Sequence, residues 1–270
     1  MVDVQNTPDT REIPLQKVGV KGLRYPVQVL DKAHGSQQTT ATVDLFVNLP
    51  HHYKGTHMSR FIEIFHAHHG DLSMKQFLAM LEEIRVSLEA ERAFGTMTFP
   101  FFVTKKAPVS EEESMMCYEL TYEGEVSEGR QNFFLSVAVP VTTVCPCSKA
   151  ISDYGAHNQR GTVTVKLRNT SFFWIEDVIS IIENSASSGV YSLLKRKDEK
   201  YVTEHAYDNP RFVEDVVREV YLGLRNFTLS EKPFTWFSVE CENYESIHNH
   251  NAYAYTEYDS RAAEKMEIKQ

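Results

Sequence analysis

The 270-residue sequence predicts an α+β protein of two similar halves, each an antiparallel sheet with paired helices on one face. Three observations point there. The elements run strands, two helices, strands, and then follow the same order again. The strand segments alternate in part and are rich in β-branched side chains, while the helical segments repeat apolar residues at i, i+3, i+4 and i+7. No repeat of fixed period is visible, so the halves would be alike in structure rather than in sequence. The expected layout is a flexible N-terminal arm over 1–12, two modules over about 13–143 and 144–258 forming one catalytic unit, and a charged, solvated tail over 259–270.

Residues 1–12 are polar, with Pro8 among them, and suit an arm. Strands are expected at about 23–30 and 38–48, the second running through Val43, Leu45 and Val47. A loop from Pro50 to Gly55 leads to a helix whose apolar face is Met58, Phe61, Ile62 and Phe65, ended by Gly70 and Asp71. His66, His68 and His69 at its end suit a helix C-terminus, where imidazolium favours the dipole. Ser73 and Gln76 form a capping box for the next helix, with Met74, Phe77, Leu78, Leu81, Ile84 and Leu88 on one face and an end near Gly95. Strands follow near 96–104, 115–126 and 131–143, the last two joined by a Glu128–Gly129 turn. A strand at 161–168 and a helix presenting Ile175, Val178, Ile179 and Ile182 come next. Asn209 and Pro210 read as N-cap and N1 of a helix with Val213, Val216, Val217, Val220, Tyr221 and Leu224 inward. Strands near 234–243 and 251–257 close the chain.

Composition narrows the function. A hydrophobic fraction of 42% supports a large core, and no apolar run reaches the roughly 18–20 residues needed to cross a bilayer, so the protein is expected to be soluble. Four cysteines in a chain of this length do not make a disulfide framework, and the first residues lack a basic or apolar leader. A reducing, cytoplasmic setting is expected. The formal net charge of −9 argues against nucleic-acid binding, yet leaves room for a small anion on a local basic cluster.

Two stretches concentrate reactive side chains. In the first, Cys145 and Cys147 flank Pro146, and His157 lies twelve residues after Cys145. If this segment is extended, both thiols face one cleft, as a soft-metal site or as incidental cysteines. Cys117 and Cys241 fall inside apolar strand patterns and read as small buried hydrophobes. In the second stretch, Glu245, His248 and His250 offer a carboxylate and two imidazoles at i and i+2, on one face of an extended chain or solvated in a loop. Lys54, His57, Ser59 and Arg60 gather basic and hydroxyl groups where a glycine turn enters a helix, a setting that can hold phosphates. Glu214 and Asp215 begin another helix. There a carboxylate can either accept two parallel N–H bonds from a guanine or pterin edge or serve the helix dipole.

With these residues assembled, the chain resembles the type IB GTP cyclohydrolase I family of prokaryotes. The resemblance runs from Val18–Lys21 through KGTHMSRF at 54–61, VCPCSKAISDYGAHNQRG at 144–161, NPRFVED at 209–215 and NYESIHNHNAYA at 243–254. It implies a tunnelling fold assembling into a barrel-like homotetramer with active sites at subunit interfaces. It implies hydrolysis of GTP to 7,8-dihydroneopterin triphosphate and formate, the entry to folate biosynthesis, with one divalent Zn, Mn or Fe per site. The implied metal ligands are Cys145, His157, Glu199 and His248. His250, Glu245 and Cys147 would stand beside the metal and move protons. Glu214 would anchor the base, and Lys54, His57, Ser59 and Arg60, from a neighbouring subunit, would hold the triphosphate. Rival readings are an archaeal relative that makes the cyclic phosphate, a nitrile reductase with a cysteine nucleophile and NADPH, and a non-catalytic purine- or pterin-binding protein.

Overall fold

The computed structural model describes residues 5, 7, 9–51, 53–228 and 233–262. Most of the expected arm and tail therefore lies outside the described residues. Within the arm, the carbonyls of Gln5 and Thr7 accept hydrogen bonds from the backbone N–H groups of Gly55 and Lys54 at 3.1 and 3.2 Å.

The elements in order are β1 (Leu15–Asp31), β2 (Gly35–Leu49), α1 (Met58–His68), α2 (Met74–Ser87), β3 (Arg92–Lys106), β4 (Glu113–Ser127), β5 (Arg130–Val144), α3 (Pro146–Ile151), β6 (Asn158–Asn169), α4 (Ile175–Ser185), β7 (Ser188–Gly189), α5 (Arg196–Asp208), α6 (Val213–Arg225), β8 (Phe234–Asn243) and β9 (Ala252–Asp259). The strands are hydrogen-bonded in the order β1-β2-β3-β4-β5-β6-β8-β9, with the short β7 on β5. The chain divides into two compact units, one of Met1–Pro100 with Leu120–Leu135 and one of Phe101–Glu119 with Ser136–Gln270.

In the first unit, β1 and β2 form an antiparallel hairpin running from Leu15↔Leu49 to Asp31↔Gly35. Both strands are longer than expected; the stretch added to β1, Leu15–Gly22, has no buried residue and so no burial alternation to read. Strict alternation on β2 buries Ala41, Val43, Leu45, Val47 and Leu49. The buried face of α1 is Phe61, Ile64 and Phe65; Met58 is exposed and Ile62 half-buried, which rotates the expected stripe by part of a turn. On α2, Phe77, Met80, Leu81 and Ile84 are buried, and Ser73 Oγ accepts the Gln76 N–H at 3.3 Å, which is the serine half of the expected capping box. This helix ends at Ser87, earlier than the expected Gly95, and Glu89 takes a left-handed φ of 52°. Gly95 lies in β3 instead. A Cβ on Gly95 would stand 2.7 Å from Leu81 Cδ2, and one on Gly124 in β4 would stand 2.6 Å from Leu81 Cδ1. The two glycines are the flat floor on which α2 rests.

In the second unit, β6 pairs with β8 and β8 with β9, all antiparallel. Alternation buries Val163, Val165, Leu167, Phe237, Val239 and Cys241 against helices. Helix α6 packs on β8, β9 and α4, and α4 buries Ile175, Val178, Ile179 and Ile182 as the periodicity predicts. Two features depart from expectation. Helix α5 was unforeseen, because only Ala206 and Asp198 of its residues are buried and a polar helix has no apolar period to read. Asn209 caps the C-terminus of α5, whereas α6 starts at Val213 with Phe212 as N-cap, its N–H bonded to Asp215 Oδ2 at 3.0 Å. The Asn-Pro pair therefore ends one helix rather than opening the next, a place that suits proline equally well.

Two carboxylates inside this unit, Glu183 and Asp198, are paired. Glu183 accepts from Tyr118 Oη at 2.9 Å and from Lys105 Nζ at 2.7 Å. Fully buried Asp198 accepts from the N–H groups of Val109, Ser110 and Lys195 and from Ser110 Oγ, all between 2.6 and 2.9 Å. Burial alone would push its carboxyl up, but the Ser110, Lys195 and Val109 hydrogen bonds outweigh that and hold it well below the usual carboxylate range. Among the described residues no helix is long and apolar enough to cross a membrane.

Candidate active site

The stretch from Cys145 to His157 is not extended. Pro146 is N1 of the short helix α3, and Cys145 is its N-cap, with φ −70° and ψ 119° and with Sγ accepting the Ser148 N–H at 3.4 Å. The expectation that Cys145 and Cys147 face one cleft from a strand fails for that reason. Proline at N1 has its fixed φ already suited to a helix and lacks an N–H that would be unpaired there. Cys145 is half-buried and Cys147 exposed on the helix.

The strand ends hold this excursion in place. At the end of β5 the Val144 N–H donates to Ser187 Oγ at 3.0 Å, and the Val144 carbonyl accepts the Arg211 N–H at 3.0 Å. The Cys145 N–H donates to the His157 carbonyl at 3.1 Å, and Ser148 Oγ accepts the His157 N–H at 3.1 Å. Lys149 Nζ reaches the Tyr207 carbonyl on α5 and sits 4.1 Å over the Tyr207 ring. Cys145 and His157 are thus neighbours through the backbone.

Register brings in the second stretch. On β6 and β8 Gly161 faces Asn243, Thr162 faces Glu242 and Val163 faces Cys241, so the chain leaving β8 after Asn243 runs beside the chain entering β6 before Gly161. The Tyr244 N–H donates to the Arg160 carbonyl at 2.9 Å, continuing the ladder one step. His248 then stands with its ring 6.4 Å from that of His157, nearly perpendicular. His248 and His250 lie in the exposed β8–β9 loop, with rings stacked at 5.2 Å. The two imidazoles share a side, as their i, i+2 spacing suggested, but in a loop rather than a strand. Glu245 in the same loop is half-buried.

His157 is oriented from behind. Its Nδ1 lies 3.0 Å from Gln159 Oε1, and Gln159 Nε2 donates to Thr143 Oγ1 at 2.8 Å. Gln159, Thr143 and Ser148 were missed in the sequence reading. The readable signal was the i, i+2 relation of His157 and Gln159 at a strand start, which puts both on one face.

The donor types here, one thiol and two imidazoles, suit a divalent ion such as Zn or Fe. The spacing is open. Two imidazoles on one zinc, with Zn–N of about 2.1 Å, would bring their ring centres to about 5 Å, closer than the 6.4 Å found. Among the described residues no group of three or more His, Cys, Asp or Glu side chains is near enough to hold a metal. Glu199 lies exposed in the first turn of α5, next to the buried Asp198, and not in the charged loop its neighbours suggested.

Glu214 is exposed in the first turn of α6, beside Asp215, which instead turns back to cap the helix. Cys117 is exposed on β4, since Met116 and Tyr118 take the core face of that strand; the expected burial holds for Cys241 alone. Burial, with Glu242 nearby, pushes the Cys241 thiol up to about 12, which leaves it inert.

Lys54, His57, Ser59 and Arg60 belong to the first unit. His57 is the N-cap of α1 without a side-chain cap bond, and Arg60 Nη1 donates to the Ser87 carbonyl at 2.6 Å. A cavity of about 90 Å³ is lined by Tyr53, Gly55, Thr56, His57 and Arg60 among others; Lys54 and Ser59 are exposed and do not line it.

Comparison with known proteins gives the family and the fold. A family model described as type I GTP cyclohydrolase folE2 matches residues 1–254. A GTP cyclohydrolase FolE2 of Syntrophus aciditrophicus is 56% identical over 257 residues, covering 95% of this chain and 99% of that one. One from Geobacter sulfurreducens is 52% identical over 263 residues, covering 97% and 100%. Among solved structures, a uricase from Arthrobacter globiformis matches with a TM-score of 0.51 at 8% identity, covering 90% of this chain and 93% of that one. A uricase from Bacillus fastidious matches at 0.50, also 8% identical, over 96% and 97%. At such identity the likeness concerns fold alone, and the fold is the tunnelling fold. With the family model spanning nearly the whole chain and relatives above half identity along it, the chain belongs to the type I GTP cyclohydrolase FolE2 family.

Proposed function

We propose that the chain is a GTP cyclohydrolase I of the type IB group, converting GTP and water to 7,8-dihydroneopterin triphosphate and formate at the start of folate biosynthesis. The observation that carries this reading is the backbone bond between Cys145 and His157, with the His248 ring 6.4 Å from that of His157, in a chain whose relatives are named GTP cyclohydrolase.

Cys145, His157 and His248 would hold one divalent Zn, Mn or Fe, with Glu199 as a fourth ligand. When bound, the metal lowers the pKa of water so that hydroxide is available for attack at guanine C8 near neutral pH. The remaining chemistry falls to the chain. Opening the imidazole ring, releasing formate and closing the pterin ring all need protons delivered and removed beside the substrate. His250, stacked on His248, Glu245 in the same loop and Cys147 on α3 are the groups to do it. Glu214 would accept the N1–H and the exocyclic amine of guanine through its two oxygens and so fix the base. His57 and Arg60, with Lys54 and Ser59, would meet the triphosphate, which explains how a chain of net charge −9 binds a polyanion.

We further propose that the two modules, about 13–143 and 144–258, assemble in a cytoplasmic homotetramer with sites completed between subunits. The test is direct. Purified protein with Mn or Zn is incubated with GTP, and the product is oxidised. A fluorescent pterin and one formate per GTP are expected, while no product with any divalent metal would overturn the reading. A cyclic phosphate instead of the triphosphate would favour the archaeal-type reaction.

A further inference from the structure

We infer that Gln159 is a positioning residue that sets the tautomer and orientation of His157. Its side chain is bonded at both ends in a nearly closed setting. Gln159 is 7% exposed and Thr143 fully buried. The amide nitrogen donates to Thr143 Oγ1 at 2.8 Å, and the amide oxygen faces His157 Nδ1 at 3.0 Å. A carboxamide has a donor end and an acceptor end, and here the donor end is committed to Thr143. Only an acceptor remains toward the imidazole. Nδ1 therefore carries the proton, and the lone pair of the neutral ring lies on Nε2, the nitrogen turned away from the Gln159 amide.

The backbone completes the restraint. His157 is held at its N–H by Ser148 Oγ and at its carbonyl by the Cys145 N–H, so neither the main chain nor the ring is free to turn. Thr143 lies near the end of β5, two residues before the α3 N-cap Cys145, so the far end of the relay stands just ahead of the thiol. The step from ring orientation to metal binding rests on the functional reading above. The step from amide to tautomer does not.

The test uses the full chain, freed of metal by chelation and labelled with ¹⁵N-histidine, at about pH 8.5, above the usual histidine range. The His157 signals are identified by their loss in His157→Ala. The expected result is Nδ1 protonated and Nε2 bare in the native sequence, with mixed tautomers in Gln159→Leu. In Gln159→Glu the Thr143 hydroxyl donates to the new carboxylate, which still accepts from Nδ1, and the native tautomer returns. Zinc affinity should fall by about 10- to 100-fold in Gln159→Leu and recover in Gln159→Glu. A proton on Nε2 in the native protein, or an unchanged tautomer in Gln159→Leu, overturns the inference. The native spectrum alone decides if the leucine variant does not fold. If His157→Ala leaves zinc binding unchanged, the metal reading fails, and the tautomer still decides the role of Gln159.

Discussion

Cys145 and His157 are joined through the main chain, the Cys145 N–H donating to the His157 carbonyl at 3.1 Å, so that α3 and the loop after it close on themselves. Ser148 adds a second tie by accepting the His157 N–H and donating from the same hydroxyl to the Cys145 carbonyl at 3.2 Å. A thiol and an imidazole twelve residues apart along the chain thereby share one small region before any ligand arrives.

From this pairing, Cys145→Ala is expected to lose GTP turnover and bound metal together. Alanine keeps the backbone tie to His157 but removes the sulfur, so the fold should survive. Metal content by elemental analysis, beside the pterin assay, is the check; full metal occupancy in the variant would show that Cys145 is no ligand.

Glu214→Gln keeps the shape of the side chain and turns one acceptor into a donor. Against the N–H edge of guanine this leaves a mismatched pair, costing about 1–3 kcal/mol, or roughly 5- to 150-fold in the KM for GTP. Because Asp215 and not Glu214 caps α6, thermal stability should hold. An unchanged KM would remove Glu214 from base recognition.

Asp198 ties the start of α5 to the Val109–Ser110 turn, and its carboxyl is held below the ordinary range. A depressed folded-state value means that its contribution is fully present above the unfolded value of about 3.9 and is lost as pH falls toward the folded one. Asp198→Asn should therefore lower the unfolding midpoint at neutral pH, because its amide would meet N–H and O–H donors. The gap between variant and native protein should narrow below about pH 4. A gap that stays constant across that range would refute the assignment.

Gly124→Ala places a Cβ 2.6 Å from Leu81 Cδ1 and 2.9 Å from Phe77 Cε1. Both neighbours are fully buried, so α2 must shift, at a cost of about 1–3 kcal/mol. Denaturant unfolding measures it, and an unaffected midpoint would mean that the α2 contact yields without strain.

The sequence by itself determined the strands and the amphipathic helices, because alternation and the 3.6-residue period record which side of each element meets the core. Val163, Val165 and Leu167 on β6, and Val213, Val216 and Val220 on α6, were legible for that reason. Helix α5 was not, since its one deeply buried charge, Asp198, faces a turn in a distant part of the chain. The dipeptides with proline were ambiguous: Cys145-Pro146 starts a helix and Asn209-Pro210 follows one, and local preference allows either. Tertiary structure also decided which residues become neighbours. Motifs named Cys145, His157 and His248, but only the β6–β8 register and the closure of the α3 loop bring them together, and only packing around Thr143 turns Gln159 toward the His157 ring. Periodicity carries burial along one element, whereas hydrogen bonds between distant elements depend on how the whole chain packs.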